Sequence, residues 1–230
     1  MKAIILAAGK ATRLPPLTKE VPQCLLKVGG KTILERQIEL IRGSGVDDIT
    51  VITGYLSEKV ENFCKKLGIE TLFNPFYEVS GMAMTLWLAK NELKSGFLLL
   101  YSDILFDPKI IKGLLENEGG ICLAIKKTEL REEAEKIIEE VGVIKNLSKD
   151  NANRQNGEFI GIAKFSNKGA EKLIEELNKL SKVNLNTSLI KVIDNIIQTG
   201  ETIKSYDIKD APFIDIDFPE DLKKAENIFA

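Results

Sequence analysis

Apolar positions along the chain follow two spacings. In "KAIILAA" (residues 2–8), "DDITVITGY" (47–55), "IETLFN" (69–74) and "GFLLLYSD" (96–103) they run nearly unbroken, as strands buried on both faces require. Between them, "TILERQIELIRGSG" (32–45) sets Ile33, Leu34, Ile38 and Ile41 on one helical face and stops at Gly43 and Gly45. "SEKVENFCKKLG" (57–68) reads as a helix with Ser57 at its N-cap and Gly68 past its end, and "GMAMTLWLAKNEL" (81–93) as a third helix. Strands alternating with helices predict parallel strands covered on both faces.

The second half is less regular. Strands are expected in "GGICLAIKK" (119–127), "VGVIKNLS" (141–148), "GEFIGIAKFS" (157–166), "TIKSYDI" (202–208) and "PFIDID" (212–217). Helices are expected in "NKGAEKLIEELNKLSK" (167–182), "TSLIKVIDNIIQTG" (187–200) and "PEDLKKAENIFA" (219–230), the last with Pro219 in its first turn. "TELREEAEKIIEE" (128–140) reads as a strongly charged helix with a solvated face. The expected fold is a three-layer α/β/α sandwich with a mixed, mostly parallel, Rossmann-like sheet. Without repeats or linkers, residues 1–230 are expected to form a single domain.

Composition narrows the chemistry. A net charge of −2 gives no global basic field, which argues against nucleic acid as a partner. No apolar run approaches the roughly 18 residues of a membrane span, and "MKAIILAAG" turns polar too soon for a signal peptide. Cys24, Cys64 and Cys122 lack CxxC spacing, as expected of reduced thiols in a cytoplasmic protein. The chain has no histidine, which excludes imidazole catalysis and imidazole-ligated metals. A metal here takes oxygen ligands and is Mg²⁺-like.

Ligands of open α/β sheets bind beyond the carboxyl ends of the strands. After the first strand, "LAAGKATRL" offers Leu6, Ala7, Ala8 and Gly9 for close backbone approach, and Arg13 as a forked cation suited to phosphate. The loop is neither GxGxxG nor GxxxxGK[ST], which disfavours a dinucleotide-dependent oxidoreductase. Asp103 ends the fourth strand, and Asp215 and Asp217 share one face of a late strand. Asp107, before Pro108, reads as a helix cap or turn former.

"LAAGKATRLPPLTKEVPQCLLKVGGKTILE" resembles the signature of the nucleotidyltransferases that join a nucleoside triphosphate to a sugar-1-phosphate or phospho-alcohol, with Gly9, Thr12, Arg13, Leu14, Pro16, Leu17, Thr18 and Pro22 in place. The order of later elements agrees to the end of the chain. The resemblance implies a GT-A-like fold with a nucleotide-binding half (1–120) and an acceptor-binding half (121–230). It implies Arg13, position 23, Asp103 and Asp217 as catalytic, with Asp103 and Asp217 holding Mg²⁺. It implies Leu6, Ala7, Ala8, Gly9, Arg13, Gly81 and Thr85 on the nucleotide, and Lys149, Glu158, Gly161 and Asp215 on the acceptor.

The short chain, without a C-terminal hexapeptide repeat, is most similar to the single-domain cytidylyltransferases acting on phosphocholine or inositol-1-phosphate. CTP is the favoured nucleotide, a phosphorylated small molecule the acceptor, and a second copy of the chain the only protein partner considered. UTP, dTTP or GTP with a sugar-1-phosphate is the alternative. Two departures stand out. Ala11 replaces a glycine, a mild change if φ is negative. Gln23 replaces the phosphate-contacting lysine, which implies reduced activity or a non-catalytic nucleotide-binding homologue. Loss of such a contact costs on the order of 10²–10³ in rate.

Overall fold

The computed structural model describes residues 1–127, 134–149, 154–180 and 184–229. Strand β1 (Lys2–Ala7) leads through a 3₁₀ turn (Gln23–Leu25) to β2 (Lys27–Val28), β3 (Lys31–Thr32), α1 (Ile33–Gly43), β4 (Ile49–Thr53), α2 (Ser57–Lys66), β5 (Glu70–Phe73) and α3 (Met82–Leu88). The chain continues through β6 (Phe97–Tyr101), β7 (Ile104–Phe106), α4 (Lys109–Glu116), β8 (Ile121–Lys126), β9 (Glu135–Glu140), β10 (Val143–Ser148) and β11 (Gly157–Phe165). It closes with α5 (Asn167–Leu180), α6 (Leu189–Gln198), β12 (Ile203–Asp207), β13 (Phe213–Asp215) and α7 (Pro219–Phe229).

Nine strands form one sheet in the order β5-β4-β1-β6-β11-β8-β12-β10-β9. The run β5-β4-β1-β6 is parallel, as its helical crossovers demand. β11 enters antiparallel to both β6 and β8, so the sheet is mixed; its four-stranded parallel run lies in the first half, and β12 pairs parallel to β8 in the second. Every residue of β1 is buried. Alternation sends Ile4 and Leu6 to one face, with Leu86, Leu173 and Ile193, and Ala3, Ile5 and Ala7 to the other, with Leu34, Val60 and Ile110. A smaller core of Leu14, Leu26, Val28, Ile33, Leu105, Ile216 and Ala225 packs the loop after β1 against the end of β13.

Three sequence expectations are corrected. Residues 135–140 of the expected charged helix form β9, paired with β10 and β11; residues 128–133 of that segment lie outside the described residues. Pairing on both sides and burial of Ile137 override the helix preference of Glu and Lys. Ser57 opens α2 but does not cap it: the N-cap is Leu56, at φ 50°, with no side-chain cap bond. Helix α4 has no counterpart among the expected elements. Ile110, Ile111 and Leu114 bury its inner face, and Asp107 starts it by accepting from the amide of Lys109 at 2.8 Å.

Candidate active site

The chain leaves the sheet after Ala7 and turns over the carboxyl ends of the parallel strands, where a cavity of about 250 Å³ opens. The carbonyl of Ala8 accepts from Tyr55 at 3.1 Å, which fixes the start of the loop. A Cβ added at Gly9 would meet nothing within 4 Å, so this backbone faces open space. The condition under which Ala11 would be a mild change, a negative φ, is not met: it sits at 50°, in the left-handed region that glycine adopts without cost. The carbonyl of Ala11 is held by Leu14 N at 3.1 Å and Thr18 Oγ1 at 3.3 Å, and burial of Leu14 anchors the turn.

The acids converge from two elements. Asp103 follows β6, Asp215 ends β13 and Asp217 lies just beyond it, and all three line the cavity. Asp103 Oδ1 is enclosed without a hydrogen-bond partner. Burial, and then the carboxylates of Asp215 and Asp217, push the Asp103 carboxyl up to about 8. Asp217 is ion-paired with Arg13, whose guanidinium lies 5.3 Å from the centre of the Phe218 ring. Among the described residues no three Asp, Glu, Cys or His side chains are grouped to hold a metal as placed. An enclosed, partnerless carboxylate oxygen beside two further carboxylates nevertheless fits a hard divalent cation, which needs only one or two protein carboxylates beside phosphate and water.

Gln23 lines the same cavity and donates from Nε2 to the carbonyl of Ile216 at 2.6 Å. Among the described residues Arg13 and Lys149 are the lining cations; Lys10, Lys19 and Lys27 do not line it. Lys10 instead pairs with Glu78 at 2.7 Å, beside the Tyr77 ring.

Gly81 and Thr85 line the cavity, but their polar groups are committed to the protein. Gly81 N donates to Leu185 O at 2.9 Å and Ala83 N to Thr187 O at 3.2 Å, so the start of α3 meets the segment before α6. A Cβ at Gly81 would stand 2.3 Å from Thr187 O, so glycine is required there by the protein's own backbone. Thr85 Oγ1 accepts from Asn74 at 2.9 Å and donates to Gly81 O at 3.3 Å.

On the far side, Lys149 and Gly161 line the cavity and Glu158 does not. Glu158 is buried in β11, in register with Lys126 and Lys136 of its neighbours. The carboxylate that does line it there is Glu135, which sequence reasoning missed because β9 was read as helix. Glu135 accepts from the Tyr101 hydroxyl at 3.0 Å, and burial pushes its carboxyl up to about 7 against the pull of Lys149. Tyr101 packs edge-on to Phe159, ring centres 5.9 Å apart, and also lines the cavity. Gly161, at φ 78°, leaves room for the Tyr101 ring, which a Cβ would meet at 2.7 Å.

The MobA-like NTP transferase domain matches residues 3–155. The CTP:phosphoglutamine cytidylyltransferase of Campylobacter jejuni subsp. jejuni serotype O:2 is 28% identical over 97% of this chain and 98% of that protein. The choline-phosphate cytidylyltransferase of Streptococcus pneumoniae is 40% identical over 46% of each chain. The inositol-1-phosphate CTP transferase structure from T. maritima superposes with a TM-score of 0.83 at 24% identity, covering 100% of this chain and 97% of that one, a likeness of fold.

Proposed function

The chain belongs to the MobA-like NTP transferase family and is a nucleotidyltransferase; from that premise we propose that it moves CMP from CTP to a phosphorylated small-molecule acceptor and releases pyrophosphate. One observation carries this reading: the enclosed, partnerless Asp103 oxygen stands with Asp215 and Asp217 at the mouth of the Gly9–Arg13 loop. Relatives matched over nearly the whole chain or half of it act, by name, on phosphoglutamine and choline phosphate, and the former names CTP. They favour CTP over UTP, dTTP or GTP. Residues 1–120 are assigned to the nucleotide and 121–230 to the acceptor, within one cytoplasmic domain.

Asp103 and Asp217 would hold Mg²⁺, with Asp215 beside them; when bound, the ion neutralises charge on the triphosphate and on the departing pyrophosphate. Arg13 and the open backbone at Gly9 receive phosphate oxygens. Lys149 orients the acceptor phosphate. An oxygen of that phosphate forms a bond to the α-phosphorus while the bond from the α-phosphorus to the bridging oxygen of pyrophosphate breaks. A phosphate monoester is largely ionised near neutral pH, so no general base is needed, in keeping with a chain that has no histidine. The protein's contribution is placement and charge. Because position 23 carries no charge, turnover is proposed to be lower than a lysine there would give.

The test is a pyrophosphate-release panel of CTP, UTP, dTTP, GTP and ATP with Mg²⁺, each against phosphocholine, phosphoglutamine, inositol-1-phosphate, glucose-1-phosphate and mannose-1-phosphate. Release with CTP and one acceptor is expected. Release confined to another nucleotide overturns the assignment of CTP, and no release from any pair overturns catalysis by this chain with these acceptors.

A further inference from the structure

Ile216 lies between two of the cavity's acids, and both of its backbone polar groups are tied to the site. Its N–H donates to the carbonyl of Asp103 at 2.9 Å. Its carbonyl accepts from Gln23 Nε2 at 2.6 Å. The first bond fixes the peptide plane between Asp215 and Ile216, and the second fixes the plane between Ile216 and Asp217. A residue has only two soft backbone dihedrals, so holding the planes on both sides fixes those of Ile216 and with them the relative placement of Asp215 and Asp217 along the chain. The Ile216 side chain is fully buried, which removes the remaining freedom of the segment. On the other side, Asp215 pairs in register with Ile104, the residue after Asp103.

The geometry points to Gln23 as a positioning residue: its amide straps the Ile216 carbonyl and thereby holds Asp215 and Asp217 in register with Asp103. This rests on the nucleotidyltransferase reading of the site. The residue type suits the task. A neutral amide bonds a carbonyl without being drawn to the carboxylates beside it, and so leaves them for a cation. Its reach matters as well: Gln23 sits in the 3₁₀ turn, whose buried Cys24 pins the backbone, and its side chain spans from there to Ile216, just beyond β13. Position 23 thus acts on the metal through the acids.

The proposal separates from a phosphate-contact role by what a loss of the donor weakens. Gln23→Met keeps length and bulk but cannot donate; Gln23→Ala is a second variant if the first folds poorly, with circular dichroism and Tm as the check. Two quantities are read by calorimetry with the non-reacting analogue α,β-methylene-CTP. These are the analogue's affinity without metal, and the Mn²⁺ concentration giving half-maximal binding when the analogue is saturating. The strap predicts a Mn²⁺ midpoint raised on the order of tenfold, equal to about 1.4 kcal/mol, with metal-free affinity within twofold of wild type. kcat should fall at saturating CTP, with KM for CTP little changed. An unchanged Mn²⁺ midpoint with weakened metal-free affinity overturns the proposal and makes Gln23 a ligand contact. Failure of the wild-type protein to bind the analogue at all, with or without Mn²⁺, overturns the nucleotidyltransferase reading itself.

Discussion

Arg13 and Asp217 are ion-paired across the mouth of the cavity, so the guanidinium best placed for phosphate and a carboxylate suited to metal neutralise each other. A divalent cation that takes Asp217 relieves that carboxylate's hold on Arg13, so the two ligands should bind with positive coupling, on the order of 1–3 kcal/mol. Asp217→Asn separates the parts. It removes the Asp217 charge that faces Arg13 without adding metal, so metal-free CTP binding should tighten several-fold by calorimetry. It also removes a metal ligand, so turnover should fall on the order of 10²–10³. Weaker metal-free binding in the variant would mean that the pair does not restrain Arg13.

A second prediction concerns pH. Burial and the neighbouring acids hold the Asp103 carboxyl up to about 8, whereas in the unfolded chain it lies near its ordinary value of 3.8. The folded protein therefore keeps a proton that the unfolded chain releases, which stabilises the fold at low pH and is lost as pH rises through about 8. Metal-free Tm should fall between pH 4 and about 8, and Asp103→Asn should flatten that fall. Divalent metal displaces the proton, so metal affinity should rise over the same window. A metal-free Tm that climbs steadily across it would contradict the assignment.

Much of this site was legible in the sequence because it hangs on strand ends. Asp103, Asp215 and Asp217 follow or close predicted strands, and Gly9 and Arg13 follow β1, so topology alone brings them to one edge of the sheet. What was not legible depended on contacts between distant segments. Glu135 hid in a stretch whose Glu and Lys content favours helix, while strand pairing on both sides decided the outcome. The glycine at 81 answers a carbonyl at Thr187, and the one at 161 answers the ring of Tyr101, neither of which local spacing reveals. The bond from Gln23 to Ile216 spans 193 positions and has no local signature.

Ala11 gives a stability prediction. An L-residue in the left-handed region pays roughly 1–2 kcal/mol for the approach of its Cβ to the backbone, and Ala11 is at φ 50°. Ala11→Gly removes that strain but gains chain entropy in the unfolded state, leaving a net stabilisation of about 0.5–1 kcal/mol. For a chain of this size that corresponds to a Tm rise of roughly 1–4 °C. Calorimetry measures it directly. Because the Ala11 carbonyl keeps its bonds to Leu14 and Thr18, kcat/KM should change less than twofold.

Gly161→Ala tests whether the two ends of the cavity serve different ligands. The new Cβ would meet the Tyr101 ring at 2.7 Å while the backbone stays at φ 78°, so both strain and overlap must be relieved. A cost on the order of 2 kcal/mol is expected. Moving the ring away from β11 relieves the overlap and carries its hydroxyl off Glu135, to which it donates at 3.0 Å. Glu135 and Lys149 lie on the side given to the acceptor, whereas Gly9 and Arg13 lie on the loop given to the nucleotide. KM for the acceptor should therefore rise on the order of tenfold while the affinity for CTP stays within twofold. Tyr101→Phe, which keeps the ring in place and removes only the hydroxyl, should reproduce part of the acceptor effect. If KM for CTP rose together with that for the acceptor, the Tyr101–Glu135 pair would belong to the nucleotide as well, and the division of the cavity between its two halves would fall.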